Sequence, residues 1–538
     1  MVLNDALNIA FSYLVRRFES ADLNLICDEL RKIACSEDFE FSTYSGISGD
    51  YTIVQEKLSK LNEKESIRKT KGVYYTPNDV VRFILHNSIK AAFSQLTPEN
   101  INDNNLDAVP YDSFCTKKTV FDPTCGAGEY LLAALDIKFD LFEKNGGTVS
   151  ENVIHQIVST IKGNDSNGDS IVITKIRLLL CVVHRYGASC VNGIAHIVND
   201  SFESYDYIIG KSALETKYDI IVGNPPYVED FKCGLLLDEK YGNIYANVLL
   251  NAAKQLNCGG SVGFIVPLSY ISTPRMKKLR NALFALIPEQ YILSYADRPD
   301  CLFDSVHQKL CIIIGKTGDM ASTIYTGNYQ YWYKSERNNL FEQTTVIKND
   351  FVSESFIPKL GCSLDVSIYR KITDTSKVKS VYAQSRCGNE SVYLNRRETF
   401  WMKAYREYVA DPEYKVFSYA TAPEADYCYC LINSSLFWWY WISVSDCWHV
   451  SKELNGFMAP DNTDDETVTR LANQLRQRLE ETKVYVGTAQ TEYEYKHRVC
   501  LAEIQAIDDF INNLYGLTAE ESDYIKGFAL KYRTSGGA

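Results

Sequence analysis

Short apolar strands alternate with helical stretches between residues 72 and about 320, and this alternation constrains the fold more than any other feature of the chain. The strand candidates are VFDP (120–123), DIIVG (219–223), GFIVP (263–267) and CIIIG (311–315). Strands that alternate with helices are typical of a mainly parallel sheet covered by helices. The pattern therefore predicts an α/β, doubly wound domain over 71–320.

The segments on either side of this domain differ from it in residue composition and in the spacing of apolar residues. Apolar residues such as Ile9, Phe11, Leu14 and Phe18 recur at helical spacing and predict an N-terminal helical extension over 1–70. Residues 321–465 are rich in Tyr, Ser, Thr and Asn with shorter periodicities, which predicts a mixed α+β domain. A helical pattern begins near Thr467 and predicts a C-terminal helical element over 466–538.

Composition narrows the functional classes. The net charge is −12 over 538 residues, which excludes binding of nucleic acid by bulk charge but leaves room for a local basic groove. The 16 cysteines contain no Cys-x-x-Cys pair, the seven histidines are widely spaced, and the longest apolar run near the C-terminal end is far shorter than the roughly 20 residues that span a bilayer. We expect a cytoplasmic protein with reduced thiols, no metal site and no membrane partner.

The segment GVYYTPNDVVRFIL (72–85) predicts the start of a helix. Thr76 suits the N-cap, Pro77 suits the first helical position, and Asp79 can close a capping box with Thr76. The free N–H groups at such a helix end can bind an anion, for example the carboxylate of an amino-acid moiety. A plain helix start is the alternative interpretation.

The segment VFDPTCGAGEYLLAAL (120–135) predicts a strand, a tight turn and a helix. Gly126 and Gly128 allow positive φ angles and a close approach of the backbone to a ligand, while Asp122 at the strand end can hold a cation or a hydroxyl. Position 131 is Leu, so the segment departs from the dinucleotide-binding pattern Gly-x-Gly-x-x-Gly.

Two further acids are candidates for ligand binding. Asp165 follows a helix and a predicted short strand, where an acid can hold ribose hydroxyls, and Asp200 in HIVNDSF is predicted to end another strand, where it can accept from an adenine amino group. Each is alternatively an Asp that caps a loop. Asn164 and Asn167 flank Asp165 so closely that the side chain that contacts a ligand stays open.

The segment YDIIVGNPPYVED (218–230) is the most specific of the four. A strand delivers Asn224-Pro225-Pro226-Tyr227 to the carboxyl edge of the sheet, where open α/β sheets bind ligands. The prolines fix φ, so the Asn224 side-chain oxygen and the Pro225 carbonyl can both accept from one –NH2 group, and Tyr227 offers a face for stacking. Two such acceptors draw the hydrogens of a ring-conjugated amine out of the ring plane, and its lone pair can then attack a methyl sulfonium.

The order of these segments resembles that of the γ-class N6-adenine DNA methyltransferases of type II restriction–modification systems. The resemblance implies a seven-stranded methyltransferase sheet, S-adenosyl-L-methionine as cofactor and a target-recognition domain after the catalytic one. It assigns cofactor contacts to Thr76 (methionyl carboxylate), Asp122, Gly126, Asp165 (ribose) and Asp200 (adenine), catalytic roles to Asn224, Pro225 and Tyr227, and a face of the flipped target adenine to Phe303. The long spacing between Asp122 and Asp165 also requires a helical insertion around 137–160.

The resemblance continues more loosely to the end of the chain. INSSLFWWYWISVSDCWHVSKELNGF (432–457) is similar to a segment of the recognition domains, and EIQAIDDFINNLYGLTAEE (503–521) is similar to their C-terminal helical element. The latter predicts a helix that ends at Gly516 and another that Thr518 caps. The family implies double-stranded DNA as substrate, a monomer or homodimer, and a cognate restriction endonuclease that acts as a separate protein.

Basic residues mixed with aromatic ones provide a candidate DNA face in the 331–410 region, although an ordinary solvated surface fits as well. They are Arg386, Arg396, Arg397, Lys403 and Arg406 among Tyr393, Phe400, Trp401 and Tyr405. Three alternatives stay open: the same chemistry on an RNA adenine or a protein glutamine, a catalytically silent DNA-binding specificity subunit, and a fused nuclease using the Glu413-Tyr414-Lys415 triplet. The long segment after the catalytic domain favours DNA.

Overall fold

The computed structural model describes residues 2–47, 49–61, 75–210, 215–303, 307–319, 321–353, 355–374, 379–380, 388–409, 411–450, 456–459, 465–487 and 492–535. Within these ranges, no helix combines the length and the apolarity needed to cross a membrane. Arg386 of the candidate DNA face lies outside the described residues.

A helical N-terminal region leads into the first strand of the central sheet. Its elements are α1 (Val2–Leu14), α2 (Ser20–Ala34), α3 (Tyr51–Ser59), α4 (Asn78–Ala92), α5 (Tyr111–Thr116) and β1 (Val120–Asp122).

Strands and helices then alternate as far as β9. These elements are α6 (Glu129–Lys144), α7 (Glu151–Ser159), β2 (Ile161–Asn164), α8 (Gly168–Tyr186), α9 (Ile194–Ser201), β3 (Phe202–Glu203), β4 (Tyr218–Gly223), α10 (Tyr245–Lys254), β5 (Leu256–Pro267), α11 (Ser269–Ser272), α12 (Lys277–Leu286), β6 (Glu289–Tyr295), β7 (Leu310–Lys316), β8 (Thr323–Gln330) and β9 (Ile347–Lys348).

The rest of the chain combines short strands with longer helices. Its described elements are α13 (Ser363–Thr373), β10 (Lys379–Ser380), β11 (Glu390–Asn395), β12 (Ala404–Tyr405), β13 (Tyr414–Tyr419), α14 (Ala422–Asn433), α15 (Ser435–Val444), β14 (Met458–Ala459), α16 (Asp465–Thr482), β15 (Val484–Tyr485), β16 (Tyr493–Glu494), α17 (Leu501–Leu514), α18 (Ala519–Gly527) and α19 (Leu530–Thr534).

The central sheet has the strand order β3-β2-β1-β4-β5-β7-β6-β8-β9 over the described residues. Strands β3, β2, β1, β4 and β5 run parallel, whereas β7 runs antiparallel to both β5 and β6. The order reverses between β1 and β4, so the connections leave these two strands in opposite directions. A crevice opens at such a point beyond the carboxyl ends of the strands, and ligands bind there.

The interior strands read as continuous apolar runs because both of their faces are covered. From Asp219 to Gly223 every residue of β4 is buried, and α4 packs on β4, β5 and β7. Contact is closest at Gly263 of β5, where an added Cβ would come within 2.1 Å of the Ser88 hydroxyl oxygen of α4. Helix α4 is therefore fixed against the sheet immediately beside the crevice.

The N-terminal helices dock on α8, which is largely buried. The hydroxyl of Tyr13 lies 2.9 Å from Nδ1 of His184, and the ring of Tyr51 stacks on the same imidazole with centroids 4.0 Å apart. Gln55 of α3 and Arg177 of α8 also exchange two hydrogen bonds. The extension is thus part of the packing around the sheet.

The C-terminal region builds its own core around α15. All ten residues of this helix are buried, among them Trp438, Trp439 and Trp441. The guanidinium of Arg533 lies 4.2 Å from the ring centroids of both Trp401 and Trp438, which ties the end of the chain to this core. A small antiparallel sheet, β12-β11-β13, packs on the neighbouring helix α14.

The predicted α/β class is confirmed, with differences in the sheet. The helical insertion around 137–160 is present as parts of α6 and α7, and the turn at Gly516 followed by a capping box at Thr518 is also as predicted. The sheet is more mixed than the strand pattern indicated, and it has nine rather than seven strands in the described part of the chain. Because β8 and β9 belong to it, a domain boundary at 320 would divide the sheet.

Candidate active site

The glycine-rich turn after β1 has the backbone that the sequence predicts. Gly126 has φ +54° and Gly128 has φ +87°, which is the left-handed region that favours glycine. At Gly128 an added Cβ would also collide with the side chain of Thr174 at 2.5 Å, so α6 can begin here only without a side chain. The turn thereby brings its backbone close to the ends of β1 and β2.

Asp165 follows β2 and faces this turn. One carboxylate oxygen accepts from the Gly126 N–H at 2.9 Å, and the other accepts from the Asn167 N–H at 2.8 Å. Asn167 caps α8 with its side chain, so its amide belongs to the helix start. The carboxylate is therefore oriented by two backbone donors.

Asn164, the last residue of β2, is a structural link between three strand ends. Its side-chain amide donates to the carbonyls of Pro123 and Tyr205, and its side-chain oxygen accepts from the Tyr205 N–H. Of the three neighbouring candidates, Asn164 and Asp165 line the crevice, and Asp165 is the one that brings a carboxylate to it.

A cavity of about 300 Å3 lies at the point where the strand order reverses. Its lining comprises Pro123, Thr124, Asn164, Asp165, Ser166, Tyr205, Asp206, Tyr207, Ile208, Asn224, Pro226, Val228, Lys232, Cys233, Leu235, Ile244 and Val248. Carboxylates from the ends of two strands thus face apolar side chains from the segment after β4. Of the predicted site residues, Asp165 and Asn224 line this cavity.

Asp200 is not where the sequence places it, and the prediction that it ends a strand is wrong. It lies in α9, because Ile194, Ala195, Val198 and Ser201 are buried at helical spacing. Its side chain is 67% exposed and lies 3.5 Å from His196. The strand β3 follows α9, and Asp206 lines the cavity just beyond it.

Asp206 is the acid that the sequence reasoning missed. One of its oxygens accepts from the Ile208 N–H at 2.9 Å, which holds the half-buried carboxylate in a tight turn. The sequence signal is an acid three residues after the short strand β3, whereas the predicted strand end at Asp200 lies three residues too early and points to a different acid.

Thr76 and Asn224 meet across 148 residues of sequence. The Asn224 side-chain Nδ2 donates to the Thr76 Oγ1 at 3.1 Å. The predicted capping box is wrong, because α4 begins at Asn78 with Pro77 as its N-cap and no side chain caps it. The hydroxyl of Thr76 bonds to Asn224 instead, and the carboxylate of Asp79 bonds to Arg337.

The residues after Asn224 are fixed by the sheet. Pro225 is buried, and the hydroxyl of Tyr227 donates to the carbonyl of Ile265 in β5 at 3.0 Å. The ring of Tyr227 also makes an edge contact with Tyr245 at 6.5 Å between centroids. The Asn-Pro-Pro-Tyr turn is therefore held at both ends.

Asp122 lies behind the cavity and not in its lining. It is 2% exposed, accepts from the Thr124 N–H at 3.0 Å, and abuts Gly223, where an added Cβ would come within 2.8 Å of its carboxylate oxygen. Burial raises the pKa of Asp122 well above its usual range. The contact with Gly223 connects the end of β1 to the residue before Asn224.

Phe303 lies outside the cavity and is 1% exposed. The two residues before it are held by Arg337, whose guanidinium donates to the carbonyls of Cys301 and Leu302 and pairs with Asp79. Arg337 thereby connects the first turn of α4 to the segment that carries Phe303.

The candidate DNA face is only partly a surface. Arg406 is nearly buried and pairs with Asp426 and Glu390, and Trp401 is a core residue. Arg396 and Arg397 are exposed. The pattern of basic and aromatic residues therefore mixes structural contacts with an open surface.

Known proteins resemble this chain in sequence and in fold. Residues 159–298 match the family model of the Eco57I restriction-modification methylase. The Type II methyltransferase M.VspI of Vibrio sp. (strain 343) is 22% identical over 296 residues, which cover 51% of this chain and 58% of that protein. The resemblance to restriction–modification methyltransferases is confirmed.

The methylase match coincides with part of the site described above. It contains Asp165, Asp206 and the Asn-Pro-Pro-Tyr turn, whereas Thr76, Gly126 and Phe303 lie outside it. The Type IIL restriction-modification enzyme MmeI, solved in complex with DNA, shares the fold with a TM-score of 0.54 at 12% identity, over 89% of this chain and 81% of that chain. Less than two thirds of the M.VspI sequence is covered by this chain.

Proposed function

We propose that the protein transfers a methyl group from S-adenosyl-L-methionine to the N6 amine of a flipped adenine in double-stranded DNA, as the modification enzyme of a restriction–modification system. The observation that carries the proposal is the position of Asn224 at the carboxyl end of β4, in the lining of a cavity that Asp165 also enters. The N6-adenine assignment rests on the chemistry of the Asn-Pro-Pro-Tyr turn.

The residues of the cavity fit this cofactor. Its volume of about 300 Å3 is within the usual range for small-molecule sites. Asp165 and Asp206 supply carboxylate acceptors for hydroxyl and amino groups, and Pro226, Val228 and Val248 supply apolar walls for a flat ring. When bound, the cofactor supplies a methyl sulfonium as electrophile.

The Asn-Pro-Pro-Tyr turn binds and orients the target amine. The amide oxygen of Asn224 and the carbonyl of Pro225 accept its two hydrogens and draw them out of the ring plane, which directs the nitrogen lone pair outward. Tyr227 stacks on the adenine ring. No general base is needed before attack, because the proton becomes acidic only after the nitrogen is methylated; it then leaves through the same acceptors to water.

A DNA substrate is favoured by two considerations. The target amine is stacked within a duplex, so the base must be extruded into the pocket, and specificity then requires side chains at base edges and cations on phosphates. The long region after β9 provides room for such contacts, and relatives are described as a Type II methyltransferase and as a Type IIL enzyme bound to DNA. By its resemblance to restriction–modification methyltransferases, we further propose a cytoplasmic monomer or homodimer that acts beside a separate cognate nuclease.

The test is a transfer assay with tritiated S-adenosylmethionine and three acceptors: mixed-sequence duplex DNA, total RNA and a translation release factor. We expect label in DNA, identified as N6-methyladenine by mass spectrometry. Asn224→Ala should remove the label while the protein still binds the cofactor in calorimetry. Label confined to RNA or protein would overturn the substrate, and methylated cytosine would overturn the chemistry.

A further inference from the structure

We infer that Thr76 is a positioning residue for the catalytic amide of Asn224, an assignment that rests on the proposed function. The direct observation is the hydrogen bond from the Asn224 Nδ2 to the Thr76 Oγ1 at 3.1 Å. The family resemblance places Thr76 beside the cofactor carboxylate, and it does not connect this residue to the Asn-Pro-Pro-Tyr turn.

The two ends of an Asn side chain have nearly the same shape and opposite chemistry. The oxygen accepts hydrogen bonds and the –NH2 group donates them. The target amine donates its hydrogens and therefore needs acceptors. If the Asn224 amide were flipped, its –NH2 group would face the –NH2 group of the target, and neither could accept from the other. Catalysis at Asn224 therefore depends on what holds the –NH2 end of its amide.

Thr76 is built to hold that end. Its side chain is 4% exposed, and it lies just before α4, which packs on the strand that ends beside Asn224. Its hydroxyl accepts from the amide nitrogen, so the amide oxygen is turned away from Thr76. Since Thr76 is buried and lies directly before a helix packed on the sheet, the bond orients the amide before substrate arrives.

The consequence is a link between the start of α4 and the Asn-Pro-Pro-Tyr turn. Replacing the hydroxyl by a methyl group would remove this acceptor from the –NH2 group of Asn224, and the preference for the present orientation of the amide would be weakened. A misdirected catalytic group costs on the order of 10- to 100-fold in rate without any loss of ligand contacts. Thr76 is not among the residues that line the cavity, so the effect should appear in the rate of transfer and not in cofactor affinity.

The experiment compares Thr76→Val, Thr76→Ser and the matched control Thr160→Val. Thr160 is also 4% exposed, and its hydroxyl donates to the carbonyl of Ile157, away from the cavity lining. Cofactor affinity is measured by calorimetry, and transfer is measured in single turnovers with both substrates saturating. The acceptor is whichever one the wild type labels, because the amide acts in the same way on each.

We expect Thr76→Val to reduce the single-turnover rate by about 10- to 100-fold with cofactor affinity within about 3-fold of wild type. Thr76→Ser, which keeps the oxygen, should recover most of the rate, and Thr160→Val should match wild type. A normal rate for Thr76→Val at saturating cofactor would overturn the inference, and so would a Thr76→Ser protein as slow as Thr76→Val.

A second readout does not depend on activity. In protein labelled with 15N at asparagine, the side-chain –NH2 signal of Asn224 is identified by its loss in Asn224→Asp. We expect slow exchange of one of its hydrogens with water in wild type and Thr76→Ser, and faster exchange in Thr76→Val. Equal exchange in all three would refute the positioning role. A wild type that labels no acceptor would instead refute the proposed function, and this signal would then decide the role of Thr76 alone.

Discussion

The backbone N–H of Gly126 donates to the carboxylate of Asp165 at 2.9 Å and joins the turn after β1 to the end of β2. The two residues are 39 positions apart, with α6 and α7 between them. The second oxygen of the carboxylate is held by the Asn167 N–H. The acid that the proposal assigns to ribose hydroxyls is thus oriented by the glycine-rich turn.

Replacing Asp165 by Asn should weaken cofactor binding with little effect on folding. The amide can serve one of the two backbone donors, but it loses the charge that strengthens bonds from hydroxyl groups. Hydrogen bonds to charged groups contribute about 1.5–3 kcal/mol, so the dissociation constant should rise by about 10- to 100-fold. Calorimetric titration with S-adenosylmethionine measures this change, and an unchanged constant would remove Asp165 from the site.

Asp200 is the acid that the sequence predicts for the cofactor site, whereas Asp206 is the acid that lines the cavity in the structure. Asp206→Asn should weaken cofactor binding by about 10-fold or more, since it removes a carboxylate from the lining. Asp200→Asn should bind as wild type does, because this side chain is exposed beside His196. Both are measured in the same titration. A loss for Asp200→Asn alone would restore the sequence-based assignment.

The strands and the turns around the site are predictable because hydrophobic pattern, glycine conformation and helix capping each depend on a few neighbouring residues. The four residues after Asp219 in DIIVG are apolar, which predicts a buried strand, and Gly126 occupies a turn whose positive φ favours glycine. The first turn after Gly516 follows from a capping box within four residues. These features need no knowledge of distant partners.

Two of the errors involve partners far away in the sequence. Thr76 fits the N-cap by local preference, yet its hydroxyl bonds to Asn224, which follows 148 residues later. Strand β8 lies between β6 and β9 and carries Thr, Tyr, Asn and Gln at its half-buried positions, so by sequence it resembles the irregular region that follows. Its place in the sheet depends on pairing with β6.

Tyr227 has two contributions that substitution can separate. Tyr227→Phe keeps the ring and loses the bond from the hydroxyl to the Ile265 carbonyl, whereas Tyr227→Ala also loses the ring. Base–aromatic stacking contributes about 1–3 kcal/mol, so Tyr227→Ala should reduce transfer by about 5- to 150-fold, and Tyr227→Phe should lose far less. Single-turnover rates on duplex DNA test this order; equal losses would show that the hydroxyl bond, and not stacking, matters.

The C-terminal region should lose stability in mild acid through His497. This side chain is 2% exposed, its Nε2 lies 3.2 Å from the Asn433 side-chain oxygen, and burial, followed by the charge of Lys403, lowers its pKa to about 4. The unfolded value is about 6.5, so the unfolded chain binds the extra proton first as the pH falls between these values. The free energy of unfolding contributed by His497 is therefore intact above about 6.5 and declines toward about 4.

A comparison of the wild type with His497→Gln isolates the contribution of His497 to the free energy of unfolding. His497→Gln cannot titrate and can still donate to Asn433, so between pH 7.5 and pH 5 the wild type should lose about 2 kcal/mol more than the variant. Urea unfolding at the two pH values, followed by tryptophan fluorescence, measures it, since α15 holds three buried indoles. His196→Gln is the control, because a side chain that is 82% exposed should leave the pH difference as in wild type. Equal losses in wild type and His497→Gln would mean that His497 is already protonated in the folded protein at pH 5.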